Sequence, residues 1–307
     1  MAIYDVNGND ISFLNQPFVN VLDYGAKGDG TTDDSTAIQS ALDTLKNTGG
    51  LILFPKGTYV LTTALFFYSR QTLLFSGAVL KAKTSDLGNL LKSYCDTTIR
   101  EFGGVHDAVI RGAILDGSAF NVNNTMLSMA HTKNILIENC QIINAFGLSH
   151  NIEINSSYGT RVKNCYFTRT GTAGGAGEMI QLDRATSGVY GDESYPDGTN
   201  CKCISIYENT FIGNTANPGV GNHSGTPVTV DIHNNIFDGF TGDRGAIDLS
   251  ATNVNVYNNS FIDCTNGIVS EGSTHYIHDN VFVDVTTAIN GTASVAHNNM
   301  INGVYTA

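Results

Sequence analysis

From Ile137 to Ile301 the chain repeats one short phrase: an apolar residue, any residue, Asn or another polar residue, Asn or Cys, any residue, then Phe or Ile. It reads Ile137-Glu138-Asn139-Cys140-Gln141-Ile142, then Val162-Lys163-Asn164-Cys165-Tyr166-Phe167, and Ile206-Tyr207-Glu208-Asn209-Thr210-Phe211. It recurs around Asn234-Asn235, Asn258-Asn259 and Asp279-Asn280, and in degraded form around Asn298-Asn299. The closing positions fall 25, 44, 26, 24, 21 and 19 residues apart, so the long interval reads as two units. A unit of this length cannot bury its own apolar side chains, so neighbours must stack into a continuous core. Within it, short alternations such as Ile204/Ile206 and Val254/Val256 are separated by Asn, Gly and Asp, with no helical period. This predicts an all-β parallel β-helix with two or three short strands per turn. The second Asn of each phrase suits a left-handed corner. A column of these residues would share amide hydrogen bonds, with Cys140 and Cys165 continuing it upstream.

At 307 residues and 41% hydrophobic content the chain can bury a large core, and a solenoid of this length need not divide. The expected organisation is a lead segment over 1–20 and one β-helix domain over 21–307. A balance of 28 acidic to 16 basic residues, net −12, with no basic stripe, argues against nucleic acid. No apolar run would span a bilayer, and no basic segment precedes an apolar one at the N-terminus, so no membrane partner or secretory signal is expected. Cys201-Lys202-Cys203 is too tight for zinc spacing. Cys140 and Cys165 would sit one turn apart, about 4.8 Å, which is long for a disulfide. The six cysteines are therefore expected to be buried free thiols, and no metal or cofactor is called for.

Asp23-Tyr24-Gly25-Ala26-Lys27-Gly28-Asp29-Gly30 leads into a segment with Ala37, Ile38, Ala41, Leu42 and Leu45 on one face, acids at its start and Gly49-Gly50 after it. The pattern predicts an amphipathic helix over about 34–47 that covers the first turn of the solenoid. The stretch from Asp23 to Leu53 closely resembles the opening of the pectate-lyase-like superfamily of right-handed parallel β-helices, which includes phage tailspikes, alginate epimerases and polygalacturonase-like hydrolases. The resemblance implies a right-handed coil, a polysaccharide partner, and an extracellular or virion location; it implies no single reaction. The glycine-rich loop lacks the preceding strand and the Gly-Lys-Ser/Thr ending of a phosphate-binding loop. An Asp-Pro-His-Glu signature of alginate epimerases is absent, as is the complete set of polygalacturonase motifs. Gly221-Asn222-His223-Ser224-Gly225 loosely echoes the Gly-His-Gly of the latter. The opening Met1–Asn9 looks like phage tail proteins. The chain ends straight after its last turn, so a covered end is expected, and a homotrimer is among the assemblies that would cover it.

Aligning the apolar residues of the strand that follows each phrase places His150–Asn155 beside Glu178–Asp183, then Pro218–His223, Gly245–Ser250 and Asn266–Glu271. Period 2 then directs Glu153, Asn155, Gln181, Asp183, His223 and Asp248 away from the core on one face. The long interval falls here, and its extra residues, Thr170–Gly177 and Arg184–Cys203, are expected to wall a groove, with Arg161, Lys163, Arg169, Arg184, Lys202 and Arg244 gathered nearby. Paired carboxylates suit glycoside hydrolysis, in which one protonates the leaving oxygen and the other serves as base or nucleophile. The candidate catalytic set is Asp183 with Glu153 or Asp248, His223 as proton-handling neighbour, and Glu178 in reserve, either outward or at the turn. Gln181, Asn155, Arg184, Arg244 and His150 are the candidate substrate-binding residues. A second stripe, Tyr207, His233, Tyr257, His278 and His297, reads as exposed strand surface, with sugar stacking as its alternative use.

The leading reading is thus a glycoside hydrolase acting on a polysaccharide. The alternatives are a lyase, which needs an acidic sugar, a base such as His223 and a cation to neutralise the carboxylate, and a non-catalytic phage-tail or cell-surface carbohydrate-binding protein.

Overall fold

The computed structural model describes residues 16–120, 124–146, 150–170, 177–186, 190, 194–213, 217–270, 273–291 and 295–305. Among the described residues three sheets of eleven, twelve and nine strands, parallel but for one pair at the end of the twelve-stranded sheet, build a right-handed solenoid. A typical turn gives one strand to each sheet in the same order, as in Leu136–Glu138, Gln141–Phe146 and Ile152–Asn155. The phrase marks the corner between the first two of these. Its closing aromatics form a buried column in which Phe167, Phe211, Phe237, Phe261 and Phe282 stack at 4.7, 4.7, 5.1 and 4.7 Å between centroids.

Two expectations about the repeat are corrected. The left-handed residue is the first of the pair, as φ is 57° at Asn139, 51° at Asn164, 58° at Asn234 and 55° at Asn258. The second residue points inward instead and builds the amide ladder. Asn259 Oδ1 accepts from Asn235 N and Nδ2, both at 3.0 Å, while Asn259 Nδ2 donates to Ile232 O at 2.8 Å. Asn209, Asn235, Asn280 and Asn299 repeat the pattern, and Cys165 N joins it by donating to Asn209 Oδ1 at 2.9 Å. The 44-residue interval is also a single turn with insertions, because Phe167 pairs directly with Phe211. Period alone cannot tell an extra turn from a long loop.

The helix spans Ser35–Thr44 and buries Ile38, Ala41 and Leu42, with Leu45 just beyond it. Asp33 Oδ1 accepts from Ser35 N at 3.0 Å, while Asp34 turns back to accept from Lys27 N and Gly28 N. Gln71 Nε2 donates to Leu42 O at 2.7 Å, tying the helix end to the first turns. Five cysteines are buried free thiols; Cys203, against expectation, is exposed because its φ of 56° turns it out of the sheet. At the far end Met300–Ile301 pairs antiparallel with Val304–Tyr305. Among the described residues no helix is long and apolar enough to cross a membrane.

Candidate active site

The nine-stranded sheet carries the predicted face in the predicted register. Glu153 pairs with Gln181 and Asn155 with Asp183; Gln181 pairs with Gly221, and Gly221 with Asp248. Ile152, Ile154, Ile180 and Leu182 alternate into the core, so the polar residues between them face away from it. That face is far less open than an ordinary outward strand surface, since Glu153 is 8% exposed, Asp183 2% and Asn155 0%. Tyr190 lies on the same sheet's earlier turns, accepting from Lys92 Nζ through its carbonyl at 3.3 Å and bonding Ser93 through its hydroxyl.

Glu178 is the hub of the site. Its backbone precedes the strand Ile180–Asp183, and its side chain reaches over Gly221, where a Cβ would fall 2.8 Å from Glu178 Cγ. A side chain at 221 would meet both the Asp248 carbonyl, 2.6 Å from such a Cβ, and this path, so a glycine sits mid-sheet. Glu178 Oε2 lies 2.7 Å from His223 Nε2 and 3.7 Å from His150 Nδ1, and Oε1 lies 2.6 Å from Arg244 Nη2. Arg244 Nε also pairs with Asp248 Oδ2. The Glu178 carbonyl accepts from Arg169 Nη2 at 2.5 Å and faces His150 Nδ1 at 3.0 Å. Asp183 Oδ1 accepts from the backbone of His223 at 2.8 Å and Ser224 at 3.0 Å, and Oδ2 accepts from Gln181 Nε2 at 2.9 Å. The same amide nitrogen lies 2.8 Å from His223 Nδ1. With its two N–H groups aimed at Asp183 and His223, Nδ1 is an acceptor, and Nε2 carries the proton that bonds Glu178.

The electrostatics separate the carboxylates. Burial drives the Glu178 carboxyl up, yet the His223 hydrogen bond and the charges of His150 and Arg244 outweigh it and hold the group at about 2. Glu153 moves the other way: burial pushes it up to about 7, against hydrogen bonds from Ser128 and Asn155, and the Asp183 charge adds to the rise. Asp183 is raised by burial, offset in part by the N–H groups of Ser224 and His223. Burial lowers His150 to about 4. His223 is raised, chiefly by its hydrogen bond to Glu178.

Glu153, Asp183, Gln181, Asn155, His223, Asp248, Glu178, Arg244 and His150 therefore belong to one connected face, and Arg184 is exposed on its rim. Glu178, a reserve residue at the sequence level, proves central, and Arg169 joins it. The glycine at 221 opposite a carboxylate was the available signal. The wider basic gathering is corrected: Arg161, Lys163 and Lys202 lie on the eleven-stranded sheet, and Lys163 pairs with Glu138 at 3.1 Å. Asp192 and Glu193 lie outside the described residues. His150, Glu178 and His223 also place donor atoms within 4.8 Å of one another, a set able to hold a divalent ion, although none was expected from the sequence. Arg244 on the same carboxylate and buried Arg169 beside it oppose a dication there electrostatically. The Tyr207-to-His297 stripe forms a separate column with centroids 4.8–5.3 Å apart. Its ring faces cover one another, which leaves edges rather than faces for a sugar.

The parallel β-helix defines the class, and similarity to known proteins gives the family. Residues 18–187 match the rhamnogalacturonase A/epimerase, pectate lyase-like family, and the chain belongs to it. It is 26% identical over 259 residues, 72% of this chain and 36% of the relative, to plasmin and fibronectin-binding protein A of Streptococcus pneumoniae. It is 27% identical over 206 residues, 57% of this chain and 23% of the relative, to a glucan 1,3-beta-glucosidase of Cochliobolus carbonum. The chain thus spans only about a third or less of these two relatives. Its fold is similar to that of the pneumococcal surface adhesin PfbA, with TM-score 0.73, 18% identity, and 93% and 78% of the two chains covered. It is also similar to an exopolygalacturonase of Thermotoga maritima, with TM-score 0.61, 16% identity, and 93% and 81% covered.

Proposed function

We propose that the chain is a carbohydrate-active enzyme, a glycoside hydrolase in which Glu153 and Asp183 form the acid/base pair. The observation that carries this reading is the pair itself. The two residues occupy adjacent parallel strands one alternation apart and point to the same face, which sets their backbone positions about 8 Å from each other. Carboxyl groups raised from such a spacing can adopt the separation of about 6.5–9.5 Å that leaves room for a water between acid and base. Glu153, with its carboxyl at about 7, keeps its proton near neutral pH and serves as the acid. Asp183, although burial raises its carboxyl, receives three hydrogen bonds that favour its charged form, and it serves as the base. His223, Arg244, His150 and Asp248 line the open side of the face, where a polysaccharide would lie. A lyase would need a cation to neutralise a uronate carboxylate, and Arg244 is already engaged by Glu178 and Asp248, which favours hydrolysis.

A non-catalytic surface protein is the second reading, favoured by the likeness to a fibronectin-binding protein and to a surface adhesin. The likeness to a surface adhesin and to a phage protein supports a location outside the cell or on a virion. A panel of neutral and acidic polysaccharides separates the two readings, assayed for new reducing ends and for the absorbance of unsaturated products. Reducing ends alone support hydrolysis, both signals together support elimination, and binding without either supports adhesion.

A further inference from the structure

We infer that the turns flanking the nine-stranded sheet form a second saccharide site, apart from the Glu153–Asp183 face, for a sugar that carries an anionic group. A cavity of about 470 Å³ is lined by Arg100, Phe102, Lys133, Tyr158 and Lys202, with Glu101 its one acid. Lys133, Tyr158 and Lys202 come from successive turns joined by single parallel bridges, so they rise about 4.8 Å per step. The opposite wall is held by specific contacts. Buried His131 sets Nδ1 2.7 Å from Glu101 O and Nε2 3.0 Å from Tyr195 O. Asp197 Oδ2 accepts from Glu101 N at 2.7 Å, and the Arg100 guanidinium lies 3.3 Å from the centroid of Tyr195. Tyr195 and Asp197, from the insertion that follows Asp183 in the chain, thus help to hold this wall.

Three cations against one acid reverse the balance of a chain whose net charge is −12. Among the described residues neither Lys133 nor Lys202 forms an ion pair. Asp107 offsets part of the Lys133 charge and Lys202 Nζ lies 5.9 Å from the Phe102 centroid, but the lining keeps an excess of positive charge, and a concave surface of that sign concentrates anions. The aromatic rings narrow the class. Phe102 and Tyr158 meet at 54° with centroids 5.5 Å apart, and Tyr158 is 37% exposed. Such a corner takes the apolar C–H face of a pyranose, while ammonium and guanidinium groups take its carboxylate or sulfate. A second cavity of about 210 Å³ shares Gly103 and extends the first, with Lys46 Nζ held over the Tyr68 and Tyr94 rings at 4.9 and 4.5 Å from their centroids. Two adjoining basic and aromatic pockets fit successive sugars of one chain better than an isolated small anion. Binding here does not require that Asp183 cleave anything.

The test is calorimetric titration, at low and raised salt, with trigalacturonate, a sulfated carrageenan tetrasaccharide, cellotetraose and uridine monophosphate. The proteins are the unaltered chain, Lys133→Ala/Lys202→Ala, Tyr158→Ala and Asp183→Asn. At least one anionic oligosaccharide should bind the unaltered chain and Asp183→Asn alike, weaken with salt, and bind both pocket variants about tenfold or more weakly. Which one binds identifies the anionic group. Equal affinity in the pocket variants, equal binding of cellotetraose, preference for the nucleotide, or no binding of either anionic oligosaccharide would overturn the assignment. Failed cleavage with intact binding would count against the hydrolase reading alone.

Discussion

Glu178 Oε2 and His223 Nε2 lie 2.7 Å apart, joining a carboxylate shut away from solvent to an imidazole whose side chain is 29% exposed. Glu178 fixes the ring, Arg244 balances the remaining charge, and Gln181 holds the other ring nitrogen as an acceptor. A second proton on His223 would confront the Gln181 amide N–H, and relief by rotation of that amide would break its bond to Asp183. The protonation of His223 is thereby tied to the hydrogen bonding of Asp183.

The first prediction follows from that link. Gln181→Glu replaces the donor facing His223 Nδ1 with an acceptor, so the imidazole should titrate higher by about one unit or more. Carbon-detected NMR titration of the histidine rings reads this directly. A His223 titration unmoved by the substitution would mean that Gln181 does not contact the ring.

Glu153 makes a prediction about pH. Its folded value of about 7 lies above its ordinary 4.5, so between those limits the folded state holds a proton that the unfolded chain releases. Its contribution to stability therefore falls as pH rises through that window. Glu178, at about 2, has the opposite sign: its contribution is present above about 4.5 and is lost as pH falls toward 2. Glu153→Gln should accordingly stabilise the protein at pH 8 relative to pH 4.5, on the order of 2 kcal/mol, while abolishing turnover. Urea unfolding at the two pH values, paired with an activity assay, checks both. A variant no more stable at pH 8 than the unaltered chain would contradict the buried, proton-holding carboxyl.

Phe237 sits fully buried between Phe211 and Phe261. Phe237→Ala opens a cavity in the middle of a continuous column and should cost about 3–5 kcal/mol. An unchanged unfolding midpoint would show that the column bears no packing energy.

The coil and the strand register were legible because both rest on short periods: Ile152, Ile180, Val220, Ile247 and Ile268 align in the structure as their alternation predicts. The amide ladder was legible as a column, but not which Asn of each pair turns the corner. Both residue types tolerate φ above zero, and only inward packing selects the second for the core. The centrality of Glu178 was hidden because its side chain leaves the strand pattern and passes over Gly221. The cover over this sheet's earlier turns was hidden for a different reason: Tyr190 lies 97 residues beyond the Ser93 that it contacts, and no repeat encodes such a contact.

Asp183→Asn is the decisive substitution for the proposed chemistry. Asparagine keeps an oxygen for the N–H groups of His223 and Ser224, so the turn they belong to should hold. It removes the charge and presents an NH₂ to the Gln181 amide, which must turn over to stay bonded. If Asp183 is the base, turnover should fall about a hundredfold or more with the fold intact, and the acidic limb of the pH–rate profile should disappear. His223→Gln separates the two routes to that loss: were Asp183 acting only by ordering His223, the double variant would be no slower than His223→Gln alone. A well-folded Asp183→Asn protein with full activity would remove Asp183 from the catalytic pair. Loss of folding would instead make its three hydrogen bonds a structural clamp on the turn at His223.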